Sequence, residues 1–247
     1  MDCKSQIGSF VEGQTGSFRY GSRSPLSKGQ IEEILSLCTS QSRSEEGSVL
    51  GGRGNVRLSK IEGLGSIAVK QYRRGGLLGK LIRSLYLSFG ESRAEEEFKI
   101  LEMVRGLGIN APQPLIWVRR GGAIYENWLI MSAIPDPVSM AQLALNDESG
   151  WIGKVPELIL QIGQLIRHRI FHVDLHPGNV LLGSDGKVCI IDFDRARFFP
   201  GSLNDLRDQY LIRWRRAVIK HQLPESVSER ICPGLRVNFE IQEKRSI

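Results

Sequence analysis

The stretch 171–197 reads FHVDLHPGNVLLGSDGKVCIIDFDRAR, with two acidic centres, Asp174 and Asp192, and Asn179 between them. Residues 180–182 (VLL) and 187–192 (KVCIID) predict two short buried strands, joined at Ser184-Asp185-Gly186, a strong turn signal. A hairpin of that size returns the chain to its start. Asn179 and Asp192 are therefore expected near each other, with Asp174 on the loop just before them. One carboxylate is then placed to accept a proton. An amide and a second carboxylate are placed to hold a hard cation such as Mg²⁺, which takes oxygen ligands and keeps waters or substrate phosphates in its remaining positions. That is the equipment of phosphoryl transfer.

A lone D-x-x-x-x-N would carry little information, and either Asp alone could cap a turn. The full string H-x-D-L-H-P-G-N-x-L-L, followed by I-D-F-D, is far more specific. It resembles the catalytic and metal-binding loops of the protein-kinase-like superfamily. The resemblance implies that Asp174 is the catalytic Asp, and that Asn179 and Asp192 hold the metal. His172 and His176 flank Asp174, but H-x-D-x-H offers no fourth zinc ligand and no cysteine pair stands nearby. His172 is expected to brace the loop.

The chain has 247 residues, 41% of them hydrophobic, enough for one substantial core or two small lobes sharing a cleft. Lys and Arg total 33 against 27 Asp and Glu, a net +6, which suits an anionic partner such as a nucleotide, a phosphorylated glycolipid or an acidic membrane face. The cysteines (Cys3, Cys38, Cys189, Cys232) are scattered without a C-x-x-C pair, so a reducing cytosol is expected rather than a disulfide or zinc framework. The start, Met-Asp-Cys-Lys-Ser, leads into no apolar signal region, and no run approaches the ~20 apolar residues of a membrane-spanning helix.

Upstream, residues 1–28 are rich in Gly, Ser and Arg with little periodicity and are expected to be loosely ordered. Residues 30–39 have a helical apolar pattern (Ile31, Ile34, Leu35, Cys38), and 41–47 read as a connector. Strands are predicted at 49–50, 56–61 and 66–72, with a glycine turn at Gly51, Gly52 and Gly54 whose backbone N–H groups can approach phosphate. Lys70, in A-V-K, resembles the kinase strand lysine that pairs with the α- and β-phosphates. The glycine loop departs from G-x-G-x-x-G, since Arg57 stands at the third position. Between Tyr72 and Phe89 lie Arg73, Arg74, Lys80 and Arg83 and no acidic residue. Such a basic, apolar stretch suits an anionic lipid surface or an acidic substrate. The helical pattern over 91–106 places Glu97 near the middle of an apolar face, where a carboxylate needs a cation; Lys70 is the expected partner, with Glu96 the second choice.

Downstream of the 111–114 linker, strands are predicted at 115–119 and 128–133; the resemblance to the kinase superfamily implies that backbone near 131–133 meets adenine. Helices are predicted at 138–145 and at 156–170, the second with Pro156 in its first turn. A last amphipathic helix is predicted at 203–221, with Leu206, Tyr210, Trp214 and Val218 on one face. No A-P-E follows Asp192, and too little chain remains for a peptide-holding activation segment.

The combination of K-x-Y-R-R-G-G-L-L-G-K-L-I-R (70–83), R-A-E-E-E-F (93–98), A-P-x-P and the 172–196 motifs resembles the 3-deoxy-D-manno-octulosonic acid (Kdo) kinases of the lipopolysaccharide-kinase branch. The resemblance covers roughly residues 48–220. It implies an α+β, bilobal protein-kinase-like fold. A small antiparallel-sheet N-lobe (48–134) and a reduced, mainly helical C-lobe (135–247) would follow a partly disordered extension (1–47). It further implies ATP as substrate with Mg²⁺, and phosphorylation of Kdo on the lipid A–Kdo inner core. The expected partners are ATP, this anionic lipid-linked sugar and an anionic membrane surface, without nucleic acid. The expected state is a monomer on the cytoplasmic face of the inner membrane. The alternatives are a heptose kinase, an aminoglycoside- or choline-type phosphotransferase, and a kinase-shaped binding module without turnover.

Overall fold

The structure, a computed structural model, describes residues 10–40, 56–72, 86–87, 91–122 and 124–243. The chain divides into two units, Met1–Met103 with Pro112–Ala133, and Val104–Ala111 with Ile134–Ile247.

The first unit is built on one antiparallel sheet. Its strands are β1 (Val11–Thr15), β2 (Phe18–Ser22), β3 (Val56–Ile61), β4 (Gly65–Gln71), β5 (Tyr86–Leu87), β6 (Pro114–Gly121) and β7 (Ile124–Ser132). They run in the order β1-β2-β6-β7-β4-β3, with β5 pairing to the start of β7. Side chains of a strand alternate between faces. Ile67 and Val69 of β4, Ile116 and Val118 of β6, and Trp128 and Ile130 of β7 therefore form one apolar surface, which joins Ile34, Leu35 and Cys38 of α1 (Lys28–Thr39) in a single core cluster. α1 starts where Ser27 and Gln30 satisfy each other's backbone N–H groups in a capping box. The alternate positions of β4 include Lys70, which leaves the strand on the opposite face, toward α2 (Arg93–Gly106).

Residues 11–22 depart from expectation, whereas the helix expected over 30–39 is present as α1. The first 28 residues were expected to be loosely ordered, yet β1 and β2 form a hairpin that pairs with β6 from Phe18↔Arg120 to Ser22↔Ile116. The hairpin carries no hydrophobic alternation because β1 is almost wholly exposed. Aromatic rings laid over glycines take its place. Tyr20 covers its cross-strand partner Gly13, and Trp117 covers Gly21, so closely that a Cβ on either glycine would lie 2.4 or 2.5 Å from ring atoms.

The second unit is mainly helical: α3 (Met140–Asn146), α4 (Glu148–Arg167), α5 (Leu203–Lys220) and α6 (Ser226–Glu243). Two small sheets complete it. One runs β11 (Val188–Ile190), β10 (Val180–Leu182), β8 (Val138–Ser139), and the other pairs β9 (Ile170–Phe171) with β12 (Arg197–Phe198). α4 begins eight residues before the predicted start, capped by the Asp147 side chain on the Gly150 N–H, so Pro156 lies inside it rather than in its first turn. An interior proline costs about 3 kcal/mol. Trp151 and Val155, both buried, extend the apolar stripe of Leu158, Ile159 and Ile162 across it. Each such burial contributes roughly 1.5–3 kcal/mol, enough together to offset the proline. α6 was not predicted. Its Val227, Ile231, Cys232 and Leu235 are buried, and the helix continues through Pro233.

Candidate active site

The 171–197 stretch folds as expected from its turn signal. β10 and β11 pair with Val180 opposite Ile190, and the Ile191 N–H donates to the Asn179 carbonyl at 3.0 Å. Asn179 and Asp192 are thus held at the same end of one hairpin. Asn179 closes the 3₁₀ turn Pro177–Asn179, and its Nδ2 donates to the Asp174 carbonyl at 2.9 Å, leaving Oδ1 as the amide's remaining acceptor. Asp192 adopts a left-handed backbone, φ 62°. For a non-glycine residue this conformation is uncommon, and it persists only where the surroundings enforce it.

His172 supplies part of that enforcement. It is fully buried, its Nδ1 accepts the Asp174 N–H at 3.3 Å, and its ring meets Phe193 edge-on at 4.7 Å. With Nδ1 accepting, Nε2 is assigned the proton and donates to the Ile191 carbonyl at 2.9 Å. One neutral imidazole therefore ties the Asp174 loop to the residue before Asp192. This is the bracing expected of it.

α5 supplies a second tie. The Tyr210 hydroxyl accepts the His172 backbone N–H and donates to the Ile170 carbonyl, both at 2.7 Å, and burial pushes its phenol pKa up, so it stays a neutral hydroxyl. Arg213 Nη1 donates to the Val173 carbonyl at 2.5 Å. Removing the hydroxyl with Tyr210→Phe leaves the His172 N–H buried without that partner. This is expected to cost about 2 kcal/mol in chemical denaturation and to lower kcat, because the N–H lies two residues from Asp174.

The Asp174 side chain is 67% exposed, and His176 Nε2 lies 4.0 Å from its Oδ2. Burial holds the His176 imidazole below its usual pKa, against the opposing pull of Asp174 and with the help of His221, whose ring lies 5.9 Å away. His176 Nδ1 accepts the Gly178 N–H at 3.0 Å.

In the first unit, Lys70 Nζ lies 2.7 and 3.0 Å from the Glu97 carboxylate oxygens. Glu97 is 2% exposed among Ala94, Phe98 and Leu101, and Glu96 is exposed. Tyr72 donates its hydroxyl to Glu97 Oε2, and Lys70 Nζ stands 5.1 Å from the centre of its ring. Asn127, fully buried, joins the pieces. Its carbonyl accepts the Tyr72 N–H at 3.2 Å, and its Oδ1 accepts the Ala94 N–H at 3.1 Å in the first turn of α2.

Tyr72, Asn127 and Tyr210 were not singled out for the site from the sequence. The signal for Tyr72 is its i, i+2 spacing from Lys70, which puts both side chains on one face. The signal for Asn127 is an amide between the apolar residues Tyr125 and Trp128, which demands a buried partner. Tyr210 offers only a hydroxyl on an apolar helix face.

Gly51, Gly52, Gly54, Arg73, Arg74, Lys80 and Arg83 lie outside the described residues. Of the backbone expected to meet adenine, the Ser132 N–H donates to Gln113 at 2.8 Å and the Ala133 N–H to Ser66 at 2.9 Å. Neither of those N–H groups is left to donate to a ligand. Burial pushes the Cys38 and Cys189 thiols up to about 12, so both remain neutral core side chains.

An α+β chain carrying a braced aspartate loop and a buried Lys–Glu pair falls in the class of protein-kinase-like phosphotransferases. The sequence profile of the lipopolysaccharide kinase (Kdo/WaaP) family matches residues 41–231. The chain is 29% identical over 214 residues to the 3-deoxy-D-manno-octulosonic acid kinase of Vibrio cholerae, covering 81% of this chain and 83% of that one. The enzymes of the same name from Photobacterium profundum and Xylella fastidiosa are 31% and 30% identical over 191 and 199 residues. Those matches cover 72% and 74% of this chain, and 76% and 75% of theirs. The chain therefore belongs to the lipopolysaccharide kinase (Kdo/WaaP) family, and is a kinase with ATP as its phosphoryl donor.

Proposed function

We propose that this kinase transfers the γ-phosphoryl group of ATP to a hydroxyl of Kdo on the lipid A–Kdo inner core. The observation that carries the reading is the match to the Kdo/WaaP family across the whole Asp174–Asp192 region. Asp174 orients the acceptor hydroxyl and takes its proton as the new O–P bond forms and the bond from the γ-phosphorus to the bridging oxygen breaks, releasing ADP. A carboxylate placed against the hydroxyl supplies alignment as well as a proton acceptor. Lys70, oriented by Glu97, grips the α- and β-phosphates.

The Asn179 Oδ1 and the Asp192 carboxylate are hard oxygen donors at one end of a hairpin, a donor set that fits Mg²⁺. Mg²⁺ bound there would neutralise phosphate charge. The Gly51–Gly54 turn would cover the phosphates. Arg73, Arg74, Lys80 and Arg83 would meet the Kdo carboxylate, lipid A phosphates or acidic headgroups. Among the described residues no helix is long and apolar enough to cross a membrane. The basic stretch supports a peripheral position on the cytoplasmic face of the inner membrane.

The test is mass spectrometry of a Kdo–lipid A acceptor after incubation with the full chain, ATP and Mg²⁺. The expected product carries one added phosphoryl group on Kdo. Phosphate found only on a heptose-bearing acceptor, or ATP consumed without any modified Kdo, would overturn the reading.

A further inference from the structure

We infer that Tyr72 is a positioning residue for nucleotide binding, acting on the Lys70 ammonium through Glu97; this rests on the phosphate-gripping role proposed above for Lys70. Tyr72 is 3% exposed, and its hydroxyl bonds to Glu97 Oε2, the oxygen that also lies 2.7 Å from Lys70 Nζ. The three groups therefore share one carboxylate oxygen. Lys70 Nζ also stands 5.1 Å from the centre of the tyrosine ring, and the Arg93 guanidinium lies 5.3 Å from the same centre. The negative ring face gives a cation a second attachment, independent of the carboxylate.

Glu97 needs such a partner. Its carboxylate sits on the stripe of Ala94, Phe98 and Leu101, all at most 1% exposed. These neighbours offer no side-chain hydrogen bond to set its rotation, and terminal carboxylate torsions are broad and soft. The tyrosine hydroxyl sets that rotation. It also takes up part of the anion's charge, so the carboxylate orients the ammonium without holding its whole charge. The hydroxyl is itself fixed at the backbone, since Asn127 accepts the Tyr72 N–H and, through its side chain, the Ala94 N–H that begins the turn carrying Glu97. One buried amide thus sets the spacing between the tyrosine and the glutamate.

The test uses Tyr72→Phe, which keeps the ring and removes only the hydroxyl, in the full chain. ATP with Mg²⁺ is titrated by calorimetry, without acceptor, and thermal unfolding is recorded in parallel. The expected result is a rise of about tenfold in the ATP dissociation constant, the size of a strong coupling between neighbouring residues. A tyrosine that only fills space would lower the melting temperature and leave the affinity of the folded protein unchanged. In a Glu97→Gln background the hydroxyl no longer faces an anion, so Tyr72→Phe is expected to add no further loss. Unchanged affinity in Tyr72→Phe, or an undiminished effect of it in Glu97→Gln, overturns the inference while leaving the proposed function standing. A wild-type chain that fails to bind ATP would overturn both.

Discussion

Replacing Asp174 by alanine is expected to lower kcat by about 10³-fold or more while the ATP dissociation constant stays within about twofold of wild type. The asymmetry follows from how the residue is held. Among the described residues, the hydrogen bonds of Asp174 are made by its backbone: its N–H donates to His172 and its carbonyl accepts from Asn179. Its carboxylate is 67% exposed. Alanine keeps the backbone bonds and removes only the group assigned to the acceptor hydroxyl, so the loop and the melting temperature should be preserved. Asp174→Asn sharpens the test, because the amide fills the same space but cannot take a proton at neutral pH. Both variants should show the same loss in steady-state turnover with a Kdo–lipid A acceptor. Near-normal turnover in Asp174→Asn would assign the residue to hydrogen-bonded alignment alone. Loss of ATP binding in either variant would contradict the role given to Asp174.

The parts of this molecule that the sequence made legible are those with a local signal. The β10–β11 hairpin was readable because Ser184-Asp185-Gly186 fixes a turn, with Gly186 at φ 77°, between apolar runs. The Lys70–Glu97 pair was readable because a carboxylate in an apolar helical stripe has few ways to be stable. That stripe runs through Ala94, Phe98, Leu101 and Val104, whereas the neighbouring apolar residues Ile100 and Met103 are only half-buried. A periodicity argument places a face to within about one residue's rotation.

What escaped the sequence is held by longer-range physics. The β1–β2 hairpin has no apolar alternation and is defined by its ladder to β6, nearly one hundred residues away in the chain, of which Arg19↔Arg119 is one rung. The start of α4 was missed because Pro156 is an ordinary first-turn residue, while Gly150 and Gly153 lower the helix propensity of a turn that the burial of Trp151 holds. The ties from Tyr210 and Arg213 to the Asp174 loop join residues 38 to 40 positions apart. Nothing in a local pattern marks one tyrosine on an amphipathic helix as the one that meets a backbone N–H.

Lys70→Ala is expected to destabilise the first unit by about 3 kcal/mol, and Glu97→Ala by distinctly less, about 1–2 kcal/mol. Loss of attraction alone would make Glu97→Ala at least as costly, since both deletions remove the same 2.7 Å contact and Glu97→Ala also removes the bond from the Tyr72 hydroxyl. Burial reverses that order. The Glu97 side chain is 2% exposed and that of Lys70 is 17% exposed. Deleting Lys70 leaves a carboxylate in the interior without its cation, supported by the Tyr72 hydroxyl but with almost no access to water. Deleting Glu97 leaves an ammonium on a flexible four-carbon stem that already reaches solvent and can move farther toward it. The penalty therefore belongs to the charge left behind, and the deeper charge decides the larger effect. Lys70→Ala combined with Glu97→Gln should recover most of the loss, because the remaining amide is neutral. Urea denaturation of the three variants measures all of this. Equal costs for the single variants, or a double variant no more stable than Lys70→Ala, would show that the buried carboxylate is not what sets the stability of this pair. ATP affinity should follow a different order: it falls in both Lys70→Ala and the double variant, since restoring the fold does not restore the ammonium proposed to grip the phosphates.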